Sequence, residues 1–187
     1  MGHRRWQRGQ PGTRQRALTR TLPRTQRPTI DTRSLRHALG RFATGVTLVT
    51  CRAADGHFVG LTVNSFSSLS LDPPLVLWSL RESSPHRAAF QAATSFAVNV
   101  LAESQLHLSR RFAASEKDRF HEGEWSLGEH GAPVLAGCCT VLQCRSVSHQ
   151  AAGDHQLFIG QVLQFAEQNL PPLLFHSAHY RRLGERL

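Results

Sequence analysis

GLTVNSFSSLSLDPP, residues 60–74, decides how the rest of the chain is read. Leu61 and Val63 alternate with Thr62 and Asn64, so the two-residue repeat of a strand sets the apolar pair on one face and the hydroxyl and amide on the other. Ser65, Ser67 and Ser68 follow in a serine-rich turn. Such a ribbon displays side-chain donors beside loosely committed backbone N–H groups, which suits a planar ligand with polar edges. A solvated outer face ending in a Ser-rich loop has the same pattern, and these residues alone leave both readings open.

Working outward, Asp31 or Thr32 is positioned to cap a helix whose Leu35, Ala38, Leu39 and Phe42 share a stripe, expected to pack on a core. Gly45 ends it, and VTLVTC (46–51) is β-branched and strand-like. Asp55-Gly56 signals a tight turn, returning the chain as a second strand over 57–64. Pro73-Pro74 interrupts the chain before another strand at 75–80. Ser83-Ser84-Pro85 then reads as a helix start, with Ser84 at the cap beside free N–H groups, a seat for phosphate or simply a capped helix. A strand at 96–101, a helix from about 103 to 112, and strands at 136–147 and 155–165 complete the pattern. In the last strand both parities are apolar, so both faces are expected to be covered. Hairpin-linked short strands with two or three helices and no βαβ rhythm predict a mainly β, α+β fold: a small antiparallel barrel with peripheral helices.

Composition narrows the function classes. The chain has 187 residues, enough for one domain with a real core, here residues 31–187. Residues 1–30 hold eight arginines and no acid, and without them the net charge of +9 falls to about +1. The basicity therefore belongs to an extension, expected to be disordered because it has too little apolar surface to offset ordering. It lacks the apolar run of a secretory signal, the amphipathic stripe of a transit peptide, and a basic or aromatic continuation into the body that a nucleic-acid arm would need. No apolar run is long enough to span a membrane. Cys51, Cys138, Cys139 and Cys144 do not have zinc-site spacing, since Cys138 and Cys139 are adjacent and point to opposite faces of a strand; they read as buried thiols in a reducing cytoplasm. Neither G-x-G-x-x-G, a P-loop nor a G-x-S-x-G elbow occurs. His155, after Gly153-Asp154, heads a strand at a barrel rim, where an imidazole can meet an amide or phosphate. Tyr180, the single tyrosine, either stacks on a ligand or packs the terminus. A site poor in catalytic side chains but able to hold a phosphorylated planar ligand is what cofactor chemistry requires.

In order and spacing, LRHALGRFATGVTLVT, DGHFVGLTVNSFSSLSLDPPLVLWSL, SFAVNVL, DRF and GDHQLFIGQV resemble the flavin reductase family with its FMN-binding split-barrel fold, over Leu35 to Tyr180. The resemblance implies a Greek-key-like split β-barrel and an NAD(P)H-dependent reductase. Hydride would pass from the nicotinamide to N5 of FMN or FAD, supplying reduced flavin to a partner monooxygenase. It implies flavin contacts at Thr62, Val63, Asn64, Ser65, Ser67, Ser68, Ser83, Ser84 and Phe120, and a nicotinamide space reached by His155 and Tyr180. It also implies a homodimer; from the charge distribution and the apolar runs, no nucleic-acid or membrane partner is expected. Arg81-Glu82 departs from the pattern, since an acid beside a phosphate is unfavourable and Glu82 must then point away. Three rivals remain: a flavin-holding electron carrier without NADH oxidation, a nucleic-acid-binding barrel using the arginine arm, and a split-barrel oxidase of pyridoxal type.

Overall fold

The computed structural model describes residues 30–114, 119–121 and 124–185. The Arg-rich stretch up to residue 29, on which the disorder expectation falls, lies outside them, as does Asp118 of the DRF motif. Helix α1 (Thr32–Leu39) starts where Asp31 accepts the N–H groups of Arg33 and Ser34 at 3.2 and 2.9 Å. Strands β1 (Thr44–Gly45), β2 (Thr47–Arg52) and β3 (Phe58–Val63) follow, with Gly56 at φ +91° making the turn between the last two. Next come β4 (Ser67–Leu71), β5 (Pro74–Arg81), helix α2 (Arg87–Ala92), β6 (Ser95–Val100), a 3-10 turn at Glu103–Gln105 and helix α3 (Leu106–Ala113). Strands β7 (Trp125–Leu127), β8 (Pro133–Leu135), β9 (Thr140–Ala152), β10 (His155–Glu167), β11 (Leu174–His176) and β12 (His179–Arg181) end the chain.

Seven strands form one antiparallel sheet in the order β3-β2-β6-β9-β10-β5-β4. The links β3 to β4 and β5 to β6 join strands that are not neighbours, which is the Greek-key-like element of the topology. The sheet does not close on itself: β3 and β4 are its two edges, and no ladder joins them. This gap is the split.

Two apolar clusters explain the burial pattern of the central strands. Val49, Cys51, Val63, Trp78, Phe96, Val98 and Phe158 fill the inner side, where Trp78 stacks on Phe158 with centroids 4.5 Å apart. Val46, Leu48, Leu101, Leu108, Phe112 and Leu135 form the second cluster, so β2 buries both of its parities. The polar groups between them are bonded: Asn99, fully buried, donates to Leu48 O and accepts from Leu135 N, while Thr50 donates to Pro133 O at 2.6 Å. Burial pushes the Cys51, Cys138 and Cys144 thiols up to about 12, so they are uncharged at neutral pH.

Three expectations need correction. Residues 67–71 are not loop but the edge strand β4, serine-rich because an edge faces solvent and needs no apolar alternation. The α1 stripe does not pack on the core: Leu35, Leu39 and Phe42 are exposed, since the eight-residue helix stands outside the sheet. The outer parity of β10 is only partly covered, with Leu163 and Phe165 exposed beyond the inward-facing Phe158.

Candidate functional site

The split opens into a cleft of about 700 Å³. One wall is the end of β3 and the run beyond it, Leu61 to Ser65; the opposite wall is the end of β5 with Ser83, Ser84, Pro85 and His86. The end of α3, Arg119 and His155 complete the lining. Ser65 extends the β4–β5 pairing into the cleft: its hydroxyl donates to Ser79 O and accepts from Ser79 N, both at 3.0 Å, beyond the point where β4 begins to pair with β5. Thr62 is similarly committed, donating through Oγ1 to Ser109 O at 2.7 Å and tying β3 to α3. What this ribbon offers a ligand is therefore chiefly main chain and the exposed Asn64, a narrower set than the alternating hydroxyl and amide suggested.

The cleft brings together Thr62, Val63, Asn64, Ser65, Ser83, Ser84 and His155. Ser67, Ser68, Phe120 and Tyr180 are not among its lining residues. Ser67 and Ser68 sit on the exposed edge strand, where Ser67 donates to Ser68 O. Phe120 packs within an aromatic group, 4.8 Å from Trp125 and 5.0 Å from Phe112 between ring centroids. Tyr180 shares a hydrogen bond of 2.9 Å with Ser109 and lies edge-on to Phe175, fastening the C-terminal strands to α3.

The Ser84 region also differs in detail from the sequence reading. The helix starts at Arg87, two residues past the expected first position, and runs for only six residues. Ser84 Oγ accepts the N–H of His86 at 3.3 Å within the turn before it. So short a helix contributes little aligned dipole, and anion attraction here has to come from side chains. Those side chains are Arg81, His86 and Arg119, which sequence reasoning passed over. Arg119 stood inside the DRF motif and Arg81 beside Glu82, but neither a loop residue nor the last residue of a strand, as Arg81 is in β5, has a periodicity that tells which way it turns. Glu82 is not among the lining residues; it is exposed, and its N–H donates to Asp154 O at 3.0 Å.

Arg119 Nη2 lies 3.0 Å from His86 Nε2. A guanidinium only donates, so the imidazole accepts and carries its proton on Nδ1. Burial, then the charges of Arg119 and His57, hold His86 below its ordinary pKa. At the other side, His155 Nδ1 lies 2.8 Å from Asp154. The carboxylate accepts, which holds Asp154 below its usual range, and leaves His155 Nε2 available for a ligand.

A flavin fits this arrangement. The volume suits a tricyclic ligand, main-chain groups run along one wall, hydroxyls and cations gather on the other, and no carboxylate appears among the described lining residues. Among the described residues no group of three or more His, Cys, Asp or Glu could hold a metal ion.

Comparison with known proteins agrees with the geometry. A family model described as Flavin reductase like domain matches residues 39–184. The FMN reductase (NADH) SmoA of Agrobacterium fabrum is 42% identical over 156 residues, covering 83% of this chain and 88% of that protein. The reductase component of the flavin-dependent trigonelline monooxygenase of Acinetobacter baylyi is 39% identical over 148 residues; the match covers 79% of this chain but 48% of that protein, about half its length. Among solved structures, the Streptomyces globisporus NADH:FAD oxidoreductase SgcE6, in complex with NAD and FAD fragments, superposes with a TM-score of 0.78 at 36% identity, covering 82% of this chain and 93% of that one. With its split antiparallel sheet, its cleft at the split and a family match over most of its length, this chain belongs to the flavin reductase family.

Proposed function

We propose that this chain is an NAD(P)H:flavin oxidoreductase that reduces FMN or FAD and supplies the reduced flavin to a partner monooxygenase. The observation that carries the reading is the cleft itself, which pairs a main-chain wall at 62–65 with a wall of hydroxyls and cations that includes no carboxylate among the described residues. Bound together, the flavin and nicotinamide would supply the redox chemistry, a hydride passing from the nicotinamide C4 to flavin N5. The protein contributes position and electrostatics. Main-chain N–H groups of the 62–65 ribbon stabilise negative charge gathering on the flavin's polar edge. Ser83 and Ser84 with the neighbouring cations hold the phosphate. His155, its tautomer set by Asp154, offers Nε2 as an acceptor to the nicotinamide carboxamide.

Relatives named as reductase components of monooxygenases support the partner assignment. The large apolar residues left exposed, among them Leu71 at 94% and Phe42 at 78%, support a homodimer that covers part of this surface. No helix among the described residues is long and apolar enough to cross a membrane, and the free thiols fit the cytoplasm as compartment. The test is turnover: loss of reduced-nicotinamide absorbance with catalytic protein and excess FMN, FAD or riboflavin, against NADH and NADPH. Absence of turnover with every pair, while flavin still binds, would leave a flavin carrier and overturn the reductase.

A further inference from the structure

We infer that Tyr180 is a positioning residue for the flavin ring: through Ser109 it holds the main-chain ribbon at Thr62 in place, so that the C-terminal hairpin sets ring affinity without lining the cleft. The inference rests on the flavin reading of the cleft and adds a determinant outside it. Strand β3 is an edge of the seven-stranded sheet, and its ladder with β2 ends at the pair Thr47 and Val63. No ladder joins its other side to β4. The main chain left unpaired there is what a planar ligand would use, so another strand cannot pin it. A side chain does so instead: Thr62 Oγ1 donates to Ser109 O on α3 at 2.7 Å.

What steadies α3 at that point comes from the far end of the chain. Ser109 shares a hydrogen bond of 2.9 Å between its hydroxyl and that of Tyr180, so one residue is bonded through its carbonyl to the ribbon and through its side chain to β12. Ser109 is wholly buried, where water cannot take over either bond. Tyr180 is itself held firmly. Its ring lies edge-on to Phe175 at 5.4 Å between centroids, with the Arg110 guanidinium 5.9 Å from its own centroid. The hairpin that carries it is fastened separately, by Ser177 N donating to Gly40 O at 2.8 Å and by Arg182 meeting Glu103 at 2.7 Å. A ribbon fixed in this way before the ligand arrives loses little freedom on binding; a released one has to be ordered by the ligand, which lowers affinity. On the proposed reading the ribbon meets the ring system and not the phosphate, so FMN and riboflavin feel the release equally.

The test is a double-mutant cycle on flavin affinity, read by fluorescence quenching of FMN and of riboflavin with the full chain carrying Tyr180→Phe, Thr62→Val or both. Each single variant should weaken the two flavins by the same factor, about three- to tenfold for one lost hydrogen bond. The double variant should bind no more weakly than Thr62→Val alone, because the ribbon is then already disconnected from Tyr180. Thr62→Ser, which keeps the hydroxyl, should restore the affinity. Unchanged affinity in Tyr180→Phe, a loss confined to FMN, or losses that multiply in the double variant would overturn the inference and leave the flavin site standing. Failure of both flavins to bind the unaltered chain would overturn it together with the flavin reading. Should a variant not fold, hydrogen exchange on the unaltered chain decides. Coupling is reciprocal, so riboflavin should slow exchange of the amides in β11 and β12, and slowing confined to segments that line the cleft would overturn the inference.

Discussion

Ser65 holds both main-chain groups of Ser79, donating to its carbonyl and accepting from its N–H at 3.0 Å each. One side chain thus does for β5 what another strand would do, at the place where the sheet is split. Ser65→Ala leaves both groups of Ser79 without that partner, so a loss of about 1–2 kcal/mol in unfolding free energy is expected, measured by urea titration. Flavin affinity should fall with it, because the same bond sets the separation of the cleft walls. An unchanged midpoint would show that solvent serves Ser79 equally well.

On the proposed reading the hydroxyl of Ser84 meets the flavin phosphate. Ser84→Ala should weaken FMN binding by about 1–2 kcal/mol and leave riboflavin binding nearly unchanged. Fluorescence quenching by each flavin reads both affinities, and equal losses for the two would mean that the residue only shapes the turn.

His155 is expected to act on the nicotinamide and not on the hydride step. His155→Ala should raise KM for NADH more than it lowers kcat, as steady-state kinetics with saturating flavin will determine. A large fall in kcat at constant KM would contradict the assignment.

Stability without flavin should fall below about pH 6.5 because of His86. Its pKa in the folded chain lies below the ordinary 6.5, mainly through burial, so in that window the unfolded chain binds more protons. The effect begins near 6.5 on acidification and levels off below the folded-state pKa. Denaturant titrations from about pH 8 to pH 5 should show a steeper acid loss for the wild type than for His86→Gln, and parallel curves would refute it.

Gly160 faces Phe96 across β9, and a methyl group there would come within 2.7 Å of Phe96 Cε1 and 3.1 Å of Cys144 Cβ. Gly160→Ala should cost about 1–3 kcal/mol by overpacking, visible as a lower thermal midpoint. An unshifted midpoint would require Phe96 to have another rotamer available at no cost.

Much of the fold was legible because its signals are local. The β-branched run at 46–51, the Asp55-Gly56 turn and the 155–165 strand match β2, its hairpin with β3, and β10 to within two residues. Strand β4 was missed since an exposed serine-rich edge has no apolar alternation to read. The two- and three-residue strands β1, β7, β8, β11 and β12 are too short to show a period, and the strand expected at 136–147 begins later and runs further, as β9 over Thr140–Ala152.

The ribbon at 62–65, Ser84 and His155 could be singled out from the sequence because polar residues at a strand end, a turn or a rim are unusual where a core is being built. Which of their atoms face a ligand could not. That Thr62 spends its hydroxyl on Ser109, that Ser65 spends its own on Ser79, and that Phe120 joins Phe112 and Trp125 all depend on contacts between residues 14 to 47 positions apart or on ring packing. Arg119 and His86, 33 positions apart, become partners only when the segment beyond α3 and the β5–α2 turn meet at the cleft. Sequence alone determined the periodicities, the turns and the family; the folded chain decided which polar groups were already satisfied by one another, because hydrogen bonding is settled by distance in space and not by distance along the chain.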